Sequence, residues 1–148
     1  MASSVQIARA VGSIRKWERA EHLRNYRSSA FLPLVDPSGR VLVGITGCRG
    51  VRACRDDGAW FGCDFIALQP GSGFPKHTHV GDHILYIIAG QGFVHIDGED
   101  IAVDAGHVIH IPAEYPHRVF TTDHFLLIAA TGHPHAEIDS KERMSLVT

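Results

Sequence analysis

From residue 31 to residue 130 the sequence is a series of short apolar or β-branched runs separated by turn residues, and this pattern limits the possible fold more than any other feature. Short runs rich in Val, Ile, Phe and Thr and bounded by Gly, Pro, Asp or Ser are typical of β-strands. A single all-β barrel or sandwich accommodates strands of this length and number. The predicted strands cover residues 31–35, 41–46, 60–68, 83–89, 93–96, 100–103, 108–111, 118–121 and 125–130.

The turn residues between these runs indicate how the strands are connected. Residues 36–39 form a Pro-containing turn, Gly90-Gln91-Gly92 predicts a tight reversal, and Asp97-Gly98 predicts a two-residue hairpin. Connections this short require neighbouring strands to run antiparallel. The polar segment from residue 47 to residue 58 has no usable periodicity and is interpreted as a loop.

A length of 148 residues predicts one compact domain. We expect residues 1–30 to form an N-terminal arm with a short helix at about residues 13–27, because Ile14, Trp17 and Leu23 recur at near-helical spacing. The barrel is then predicted over residues 31–131. The polar tail over residues 132–148 has no clear partner in this barrel.

Charge and hydropathy exclude several classes of protein. With 14 basic and 16 acidic residues, the formal charge is -2, so the sequence predicts no nucleic-acid partner. No apolar run approaches the length of a membrane span, and charges interrupt residues 1–30, so we predict no membrane partner, no signal peptide and a cytoplasmic location. Cys48, Cys54 and Cys63 match neither a metal motif nor a disulfide ladder, so we interpret them as reduced thiols of undetermined role.

Histidine is unusually frequent, at 11 residues, and four of these histidines lie where they could converge. His77 and His79 are two residues apart, so on an extended segment both side chains project from one face. His83 opens the most apolar run of the protein and can point back toward them. His117 follows a turn bracketed by prolines, which fixes its direction.

Converging neutral imidazoles favour a divalent transition metal: zinc, iron, nickel, manganese or copper. They bring no charge of their own, so an anionic substrate or hydroxide could complete the site, and this predicts reactivity. The alternative is that two histidines on one strand are exposed or hydrogen-bonded residues without a metal. The other histidines are read as surface or hydrogen-bonded residues, namely His22, His95, His107, His110, His124, His133 and His135.

The sequence leaves open which side chains hydrogen-bond to the metal-ligating imidazoles. Asp82, Glu114 and Tyr86 lie near the ligands in sequence and could bond to the imidazoles from behind, depending on strand register. One of Cys63 and Asp64 faces the barrel interior, because they are adjacent on one strand. No general acid or base is identified.

Two segments with the spacing of these histidines resemble the motifs of the cupin superfamily. The first motif corresponds to Gly71, five residues, His77-Thr78-His79, three residues, His83, six residues and Gly90, with His83 where the family usually has glutamate. The second corresponds to Gly106, Pro112, Glu114, His117 and Thr121, with Glu114 in place of glycine and Thr121 in place of asparagine. Both motifs agree at most positions.

The resemblance implies an all-β, cupin-type antiparallel β-barrel of the jelly-roll kind, with the N-terminal helical arm outside it. It implies one divalent transition metal bound by His77, His79, His83 and His117. Replacing a carboxylate by an imidazole raises the charge of the site, which makes zinc, nickel or copper more credible beside manganese and iron.

The resemblance also implies a metal-dependent enzyme that transforms a small organic molecule in a biosynthetic or catabolic pathway. Its reaction would be of the oxygenase type or a metal-assisted rearrangement, so the dioxygenase, isomerase and lyase classes stay open. The alternative is a non-catalytic module that binds a metal or small ligand. We also predict a homodimer, because residues 84–88 are apolar on both faces and one face needs a cover.

Overall fold

A computed structural model describes residues 17–52, 61–136, 138 and 140–148 of the chain. Its helical elements are short: α1 (Arg19–His22) and a 3-10 turn, η1 (Tyr26–Ser28). The helix predicted at residues 13–27 is therefore limited to these turns where the chain is described, and residues 13–16 lie outside that part. The strands are β1 (Leu32–Val35), β2 (Val41–Arg52), β3 (Gly62–Leu68), β4 (His77–Thr78), β5 (Asp82–Ile96), β6 (Glu99–Asp104), β7 (Val108–Ile111), β8 (Arg118–Phe120), β9 (Leu126–His133) and β10 (Ser145–Leu146).

The strands form a curled antiparallel sheet, which confirms the predicted all-β barrel. The path of hydrogen-bonded neighbours is β1-β2-β3-β9-β5-β6, and β7 and β8 also pair with β5. The first part of β5 pairs with β9 and β7, whereas its second part pairs with β6 and β8. Because β5 crosses from one side of the barrel to the other, it joins the two halves of the fold.

The predicted reversal at Gly90-Gln91-Gly92 is wrong, because β5 continues through these residues. Gly90 has a positive φ of 86°, and a Cβ there would overlap with the carbonyl of Phe125, the residue directly before β9. The register against β9 also shifts between Ile87 and Ala89. The glycine therefore bends one long strand rather than ending it.

The two-residue hairpin at Asp97-Gly98 is confirmed. Both residues have positive φ, 53° and 76°, and the flanking Ile96 and Glu99 are paired. This is the backbone geometry that lets a two-residue turn match the twist of its strands. The turn at residues 36–39 is also formed, and there the carboxylate of Asp36 accepts hydrogen bonds from the backbone N–H groups of Ser38 and Arg40 at 2.9 Å.

The loop predicted from residue 47 begins too early, because β2 continues to Arg52. Its partner β3 supplies the pairing, from Gly47 opposite Ile66 to Arg52 opposite Gly62. Backbone pairing with a neighbouring strand overrides the polar composition of this segment. Cys48 is buried and Cys63 half-buried, both as free thiols, and Cys54 lies outside the described residues.

Alternation along the strands directs one set of side chains into the barrel. In β3 the inward positions are Gly62, Asp64, Ile66 and Leu68, whereas Cys63 points the other way. The inward apolar side chains form the core of the barrel, and the buried histidines lie against it. The most completely buried large apolar residues are Leu34, Ile45, Ile66, Leu68, Ile87, Ile111, Leu126 and Ile128.

The C-terminal segment, which the sequence left without a partner, packs against the barrel. β10 pairs with β4, so that Leu146 lies opposite His77. The backbone N–H of Val147 also donates to the carbonyl of Lys76 at 3.0 Å. Ile138 and Met144 are each 3% exposed within the core. This contact matters for function, because it brings the segment against the strand that carries His77.

The outer face of the sheet is only partly covered. The Tyr26 ring stacks on Phe65 with ring centroids 4.3 Å apart. Further along the same face, Ile84 and Tyr86 are each 47% exposed and Val108 is 59% exposed. The homodimer stays a prediction, and this exposed apolar strip is where its interface would lie. Within the described part of the chain, no helix has the length and apolar character needed to cross a membrane.

Candidate metal centre

Two segments far apart in sequence meet at His77 and His117. The backbone N–H of His77 donates to the carbonyl of His117, and the backbone N–H of His117 donates to the carbonyl of His77, both at 3.0 Å. Their rings are 4.4 Å apart between centroids. His79, two residues beyond His77, lies 5.2 Å from the ring of His117. The backbone bridge therefore positions ligands from both predicted motifs on one side of the barrel interior.

Each of these three rings is oriented by a backbone carbonyl. The Nδ1 atom of His77 lies 2.6 Å from the carbonyl of Pro75, and that of His117 lies 2.8 Å from the carbonyl of Tyr115. The Nδ1 atom of His79 lies 2.7 Å from the carbonyl of Arg143. A carbonyl only accepts, so each Nδ1 carries the proton and donates it. Each Nε2 is consequently a bare lone pair.

The bare nitrogens point toward one another. The Nε2 atoms of His77 and His79 are 3.0 Å apart. The ligand atoms of His77, His79 and His117 all lie within 4.8 Å of one another. Three lone pairs that converge at this distance without a proton between them repel, and a cation at their centre removes the repulsion. The donor set therefore fits a divalent transition metal.

Burial keeps these imidazoles in the neutral form that binds metal. It holds the pKa of His77 well below its usual value, with the neighbouring His79 and His117 adding to the effect. Burial, together with the nearby His83, lowers the pKa of His79 to about 2. Burial also lowers the pKa of His117. The site is therefore prepared for a metal ion without first losing protons at neutral pH.

His83, the fourth ligand predicted from the sequence, lies beside this cluster. Its ring stacks on that of His79, with centroids 4.1 Å apart and planes within 8°. Its nitrogens do not belong to the set that lies within 4.8 Å, as far as the described residues show. Burial, with His135 and Arg143 nearby, lowers the pKa of His83 to about 3. The structure thus places all four predicted histidines next to one another. The ligand atoms of only three of them, among the described residues, lie within 4.8 Å of one another.

A second buried polar group, which the sequence did not identify, lies behind His83. Asp64 accepts hydrogen bonds at 2.5 Å from Nε2–H of His135 and from the guanidinium of Arg143. Burial raises the pKa of Asp64, but the His135 hydrogen bond and the Arg143 charge outweigh it and hold the pKa below its usual value. The His135 ring is 5.3 Å from that of His83. Strand alternation could have shown Asp64 to share the inward face of Ile66, but nothing in the sequence paired it with the C-terminal segment.

The residues considered as partners behind the ligands lie elsewhere. Asp82 is exposed and accepts a hydrogen bond from the backbone N–H of Ala113 at 2.6 Å. Tyr86 points to the outer face, 47% exposed. Glu114 is exposed and contributes only its backbone N–H, which donates to the carbonyl of His79 at 2.7 Å. The groups that accept hydrogen bonds from the imidazoles of His77, His79 and His117 are therefore backbone carbonyls, and not the side chains of the three residues considered from the sequence.

Two spaces adjoin the histidines. An internal cavity of about 20 Å³ is lined by His77, His79, His83 and His117, and this is room for about one ion or water molecule. A larger pocket of about 310 Å³ opens to the surface beside it. Its polar lining includes His79, His83, His135, Glu142 and Arg143. A small organic molecule could therefore reach the histidine site from outside.

Comparison with known proteins agrees with the fold and the two motifs. The model of the cupin domain matches residues 64–138, about half of the chain. The chain belongs to the cupin family, as the motif resemblance predicted. This segment runs from within β3 to beyond β9 and contains every predicted metal ligand.

The curated and solved relatives are diverse. The oxalate-binding protein of Thermotoga maritima is 34% identical over 58 residues, which cover 38% of this chain and 48% of that protein, so the match spans about half the length of the curated relative. The polyketide cyclase RemF from Streptomyces resistomycificus has a similar structure, with a TM-score of 0.64, 17% identity and coverage of 76% of this chain and 78% of RemF. KdgF from Halomonas sp. gives a TM-score of 0.63 at 17% identity, covering 78% and 94% of the two chains. The structural likenesses establish the fold alone.

Proposed function

We propose that this cupin is a metal-dependent enzyme that transforms a small organic molecule at the histidine site. The observation that carries the proposal is the convergence of three bare Nε2 atoms, from His77, His79 and His117, beside an open pocket. Catalytic metal sites commonly use three protein ligands and leave a position for substrate or water. His83 remains the predicted fourth ligand; its ring stacks on that of His79, and both residues line the open pocket.

The charges at the site indicate which class of substrate it favours. A divalent metal bound there would act as a Lewis acid on a coordinated oxygen of the substrate. The neutral imidazoles leave the metal charge uncompensated. This favours an anionic substrate such as a carboxylate. The apolar side chains of Leu85 and Ile128 in the cavity wall exclude water from the inner side of the site.

The identity of the metal determines which classes of reaction the site could catalyse. Zinc would suit a metal-assisted rearrangement, isomerisation or lyase reaction, whereas iron, copper, nickel or manganese would allow an oxygenase-type reaction. The likeness to a polyketide cyclase supports the first group, because cyclisation is a rearrangement of bonds within one molecule. We therefore propose zinc and a rearrangement as the first combination to test.

A second candidate function is a non-catalytic module that binds a metal together with a small anion. The local similarity to an oxalate-binding protein favours it, since oxalate is a small dicarboxylate. The two functions share the metal site and differ in whether the bound molecule is changed. Recovery of every supplied ligand without chemical change would favour the binding module.

Elemental analysis of the purified protein tests the metal site directly. We expect close to one transition metal per chain in the native protein. His77→Ala and His117→Ala each remove a converging nitrogen, so the metal should fall to trace levels in both. His110→Ala, at an exposed histidine, is the matched control and should retain the metal. Unchanged metal content in His77→Ala and His117→Ala would refute the ligand assignment.

A further inference from the structure

Arg143 contacts the metal centre with its backbone and a buried carboxylate with its side chain. Its carbonyl accepts a hydrogen bond from Nδ1–H of His79 at 2.7 Å. Its guanidinium donates to Asp64 at 2.5 Å, and the residue is only 6% exposed. A single residue of the C-terminal segment therefore connects one of the converging histidines to the ion pair inside the barrel.

The orientation of His79 depends on a distant part of the chain, unlike that of the other two converging histidines. His77 donates to the carbonyl of Pro75, two residues earlier in the chain. His117 likewise donates to the carbonyl of Tyr115, two residues earlier. The carbonyl that orients His79 lies 64 residues away in sequence. His79 therefore keeps this hydrogen bond only while the C-terminal segment is docked on the barrel.

Buried contacts on both sides of the Arg143 carbonyl hold it in place. The side chain is anchored on Asp64, which also accepts a hydrogen bond from Nε2–H of His135 at 2.5 Å. The next residue, Met144, is 3% exposed in the core, and β10 follows it and pairs with β4. Because a guanidinium left unpaired inside the protein is costly, the ion pair restricts where this residue can lie.

The hydrogen bond to Arg143 prepares His79 for a metal ion in two ways. It keeps the proton on Nδ1, which leaves Nε2 bare. It also fixes the ring, so the entropy of ordering this side chain is lost when the protein folds and not when a metal binds. Conversely, positive charge on a ring makes its N–H a stronger donor, so a metal ion on Nε2 would strengthen the bond to the Arg143 carbonyl.

We infer that Arg143 is a positioning residue of the metal centre: anchored on Asp64, it orients His79, so that docking of the C-terminal segment and metal binding stabilise each other. The inference rests on the proposed function, because it requires a metal at the histidine site. The factor by which docking raises metal affinity must equal the factor by which the metal stabilises docking. The effect can therefore be measured from either side.

Substitution of Arg143 measures the effect on metal affinity, with zinc as the probe and a fluorescent chelator as the competitor. Arg143→Met keeps the apolar part of the side chain but loses the charge that anchors it. We expect zinc affinity about tenfold lower, the scale seen when a group supporting a ligand is lost. Because Nη1 makes the contact with Asp64, the ammonium group of Arg143→Lys can replace it and should recover most of the affinity.

Lys141→Met is the matched control for this measurement. It lies two positions earlier in the same segment, and its side chain is exposed. We expect this variant to bind zinc as tightly as the native protein does. Equal losses of zinc affinity in Lys141→Met and Arg143→Met would overturn the inference, because any disturbance of the segment would then have the same effect.

Hydrogen exchange in the unmodified protein measures the effect on docking and does not depend on a folded variant. The backbone N–H of Arg143 donates to the carbonyl of Ser140 at 3.2 Å and exchanges when this part of the segment opens locally. Zinc should slow its exchange by about fivefold or more. The amide of Glu99, at the end of the β5–β6 hairpin, should exchange at the same rate with and without zinc.

The outcomes separate this inference from the proposed function. If zinc binds but the Arg143 amide exchanges at an unchanged rate, the coupling is refuted and the metal site stands. Native zinc affinity in a folded Arg143→Met protein has the same meaning. Failure of the native protein to bind zinc or any other divalent transition metal overturns the proposed function, and this inference with it.

Discussion

Two groups of histidines lie side by side in this barrel, and they are held in different ways. His77, His79 and His117 each donate Nδ1–H to a backbone carbonyl and present Nε2 to one another. His135 instead donates Nε2–H to the carboxylate of Asp64, and its Nδ1 is buried without a hydrogen-bond partner in the described part of the chain. His83 lies between the groups, stacked on His79 and 5.3 Å from the ring of His135.

The comparison shows how the group that accepts a hydrogen bond from an imidazole determines the role of that imidazole. A backbone carbonyl is fixed by strand pairing, so it locks the ring rigidly and without charge, as suits a metal ligand. A buried carboxylate adds a negative charge, which must itself be neutralised, here by Arg143. The first arrangement gathers lone pairs for a cation, whereas the second ties the C-terminal segment to β3 through a buried ion pair.

Removing Asp64 should give the largest effect on stability. In Asp64→Ala the guanidinium of Arg143, 6% exposed, loses its carboxylate partner inside the protein. Breaking a buried pair by deleting one member costs about 3–5 kcal/mol, and we expect this loss in the free energy of unfolding measured with urea. Asp100→Ala is the matched control: this exposed carboxylate pairs with His95, and its loss should cost at most about 1 kcal/mol. Similar losses in the two variants would contradict the role of the buried cluster.

Lowering the pH should weaken the metal-free protein through the histidine cluster. The folded pKa values of His79 and His83, about 2 and about 3, lie below the ordinary value of 6.5, so below pH 6.5 the unfolded chain binds protons that the folded chain does not. Each group then reduces stability by up to about 1.4 kcal/mol per pH unit until its folded pKa is reached. Urea unfolding at pH 7.5 and 5.5 should show this loss.

The same experiment on His79→Gln identifies the source of the pH dependence. This variant lacks one of the shifted imidazoles, so its stability should fall less steeply with pH, by about 1.4 kcal/mol per unit at most. His107→Gln, at an exposed position, should keep the native slope. A native slope in His79→Gln would mean that other groups cause the effect.

The smallest expected effect distinguishes the two ways in which His83 could serve the site. His79→Phe should reduce zinc affinity more than a hundredfold, because it removes a converging nitrogen. His83→Phe should reduce it about tenfold, the scale seen when a group supporting a ligand is lost. Competition with a fluorescent chelator measures both. Equal losses would instead make His83 the fourth ligand, as the cupin motif predicts.

Much of the fold could be predicted from local sequence, and the errors share a cause. The Asp97-Gly98 hairpin was predictable, because only a few residues tolerate two successive positive φ angles. Gly90 carries an equally strong turn signal but bends β5, because strands on both sides continue the pairing. The extension of β2 to Arg52 likewise depends on pairing with β3. Local residues indicate where the backbone takes an unusual angle. Pairing with distant strands determines whether that angle ends a strand or bends it.

By itself the sequence determined the cupin motifs, the strand alternation and the direction of His77 and His79, since side chains two residues apart on a strand share a face. Only the tertiary structure decided that the C-terminal segment returns to the barrel, where the Arg143 carbonyl orients His79 and its guanidinium holds Asp64. It also decided that His135 is buried, with no hydrogen-bond partner for its Nδ1 among the described residues. Such contacts join residues more than sixty positions apart, and no local periodicity encodes them, because they arise only when the packed strands close around the core.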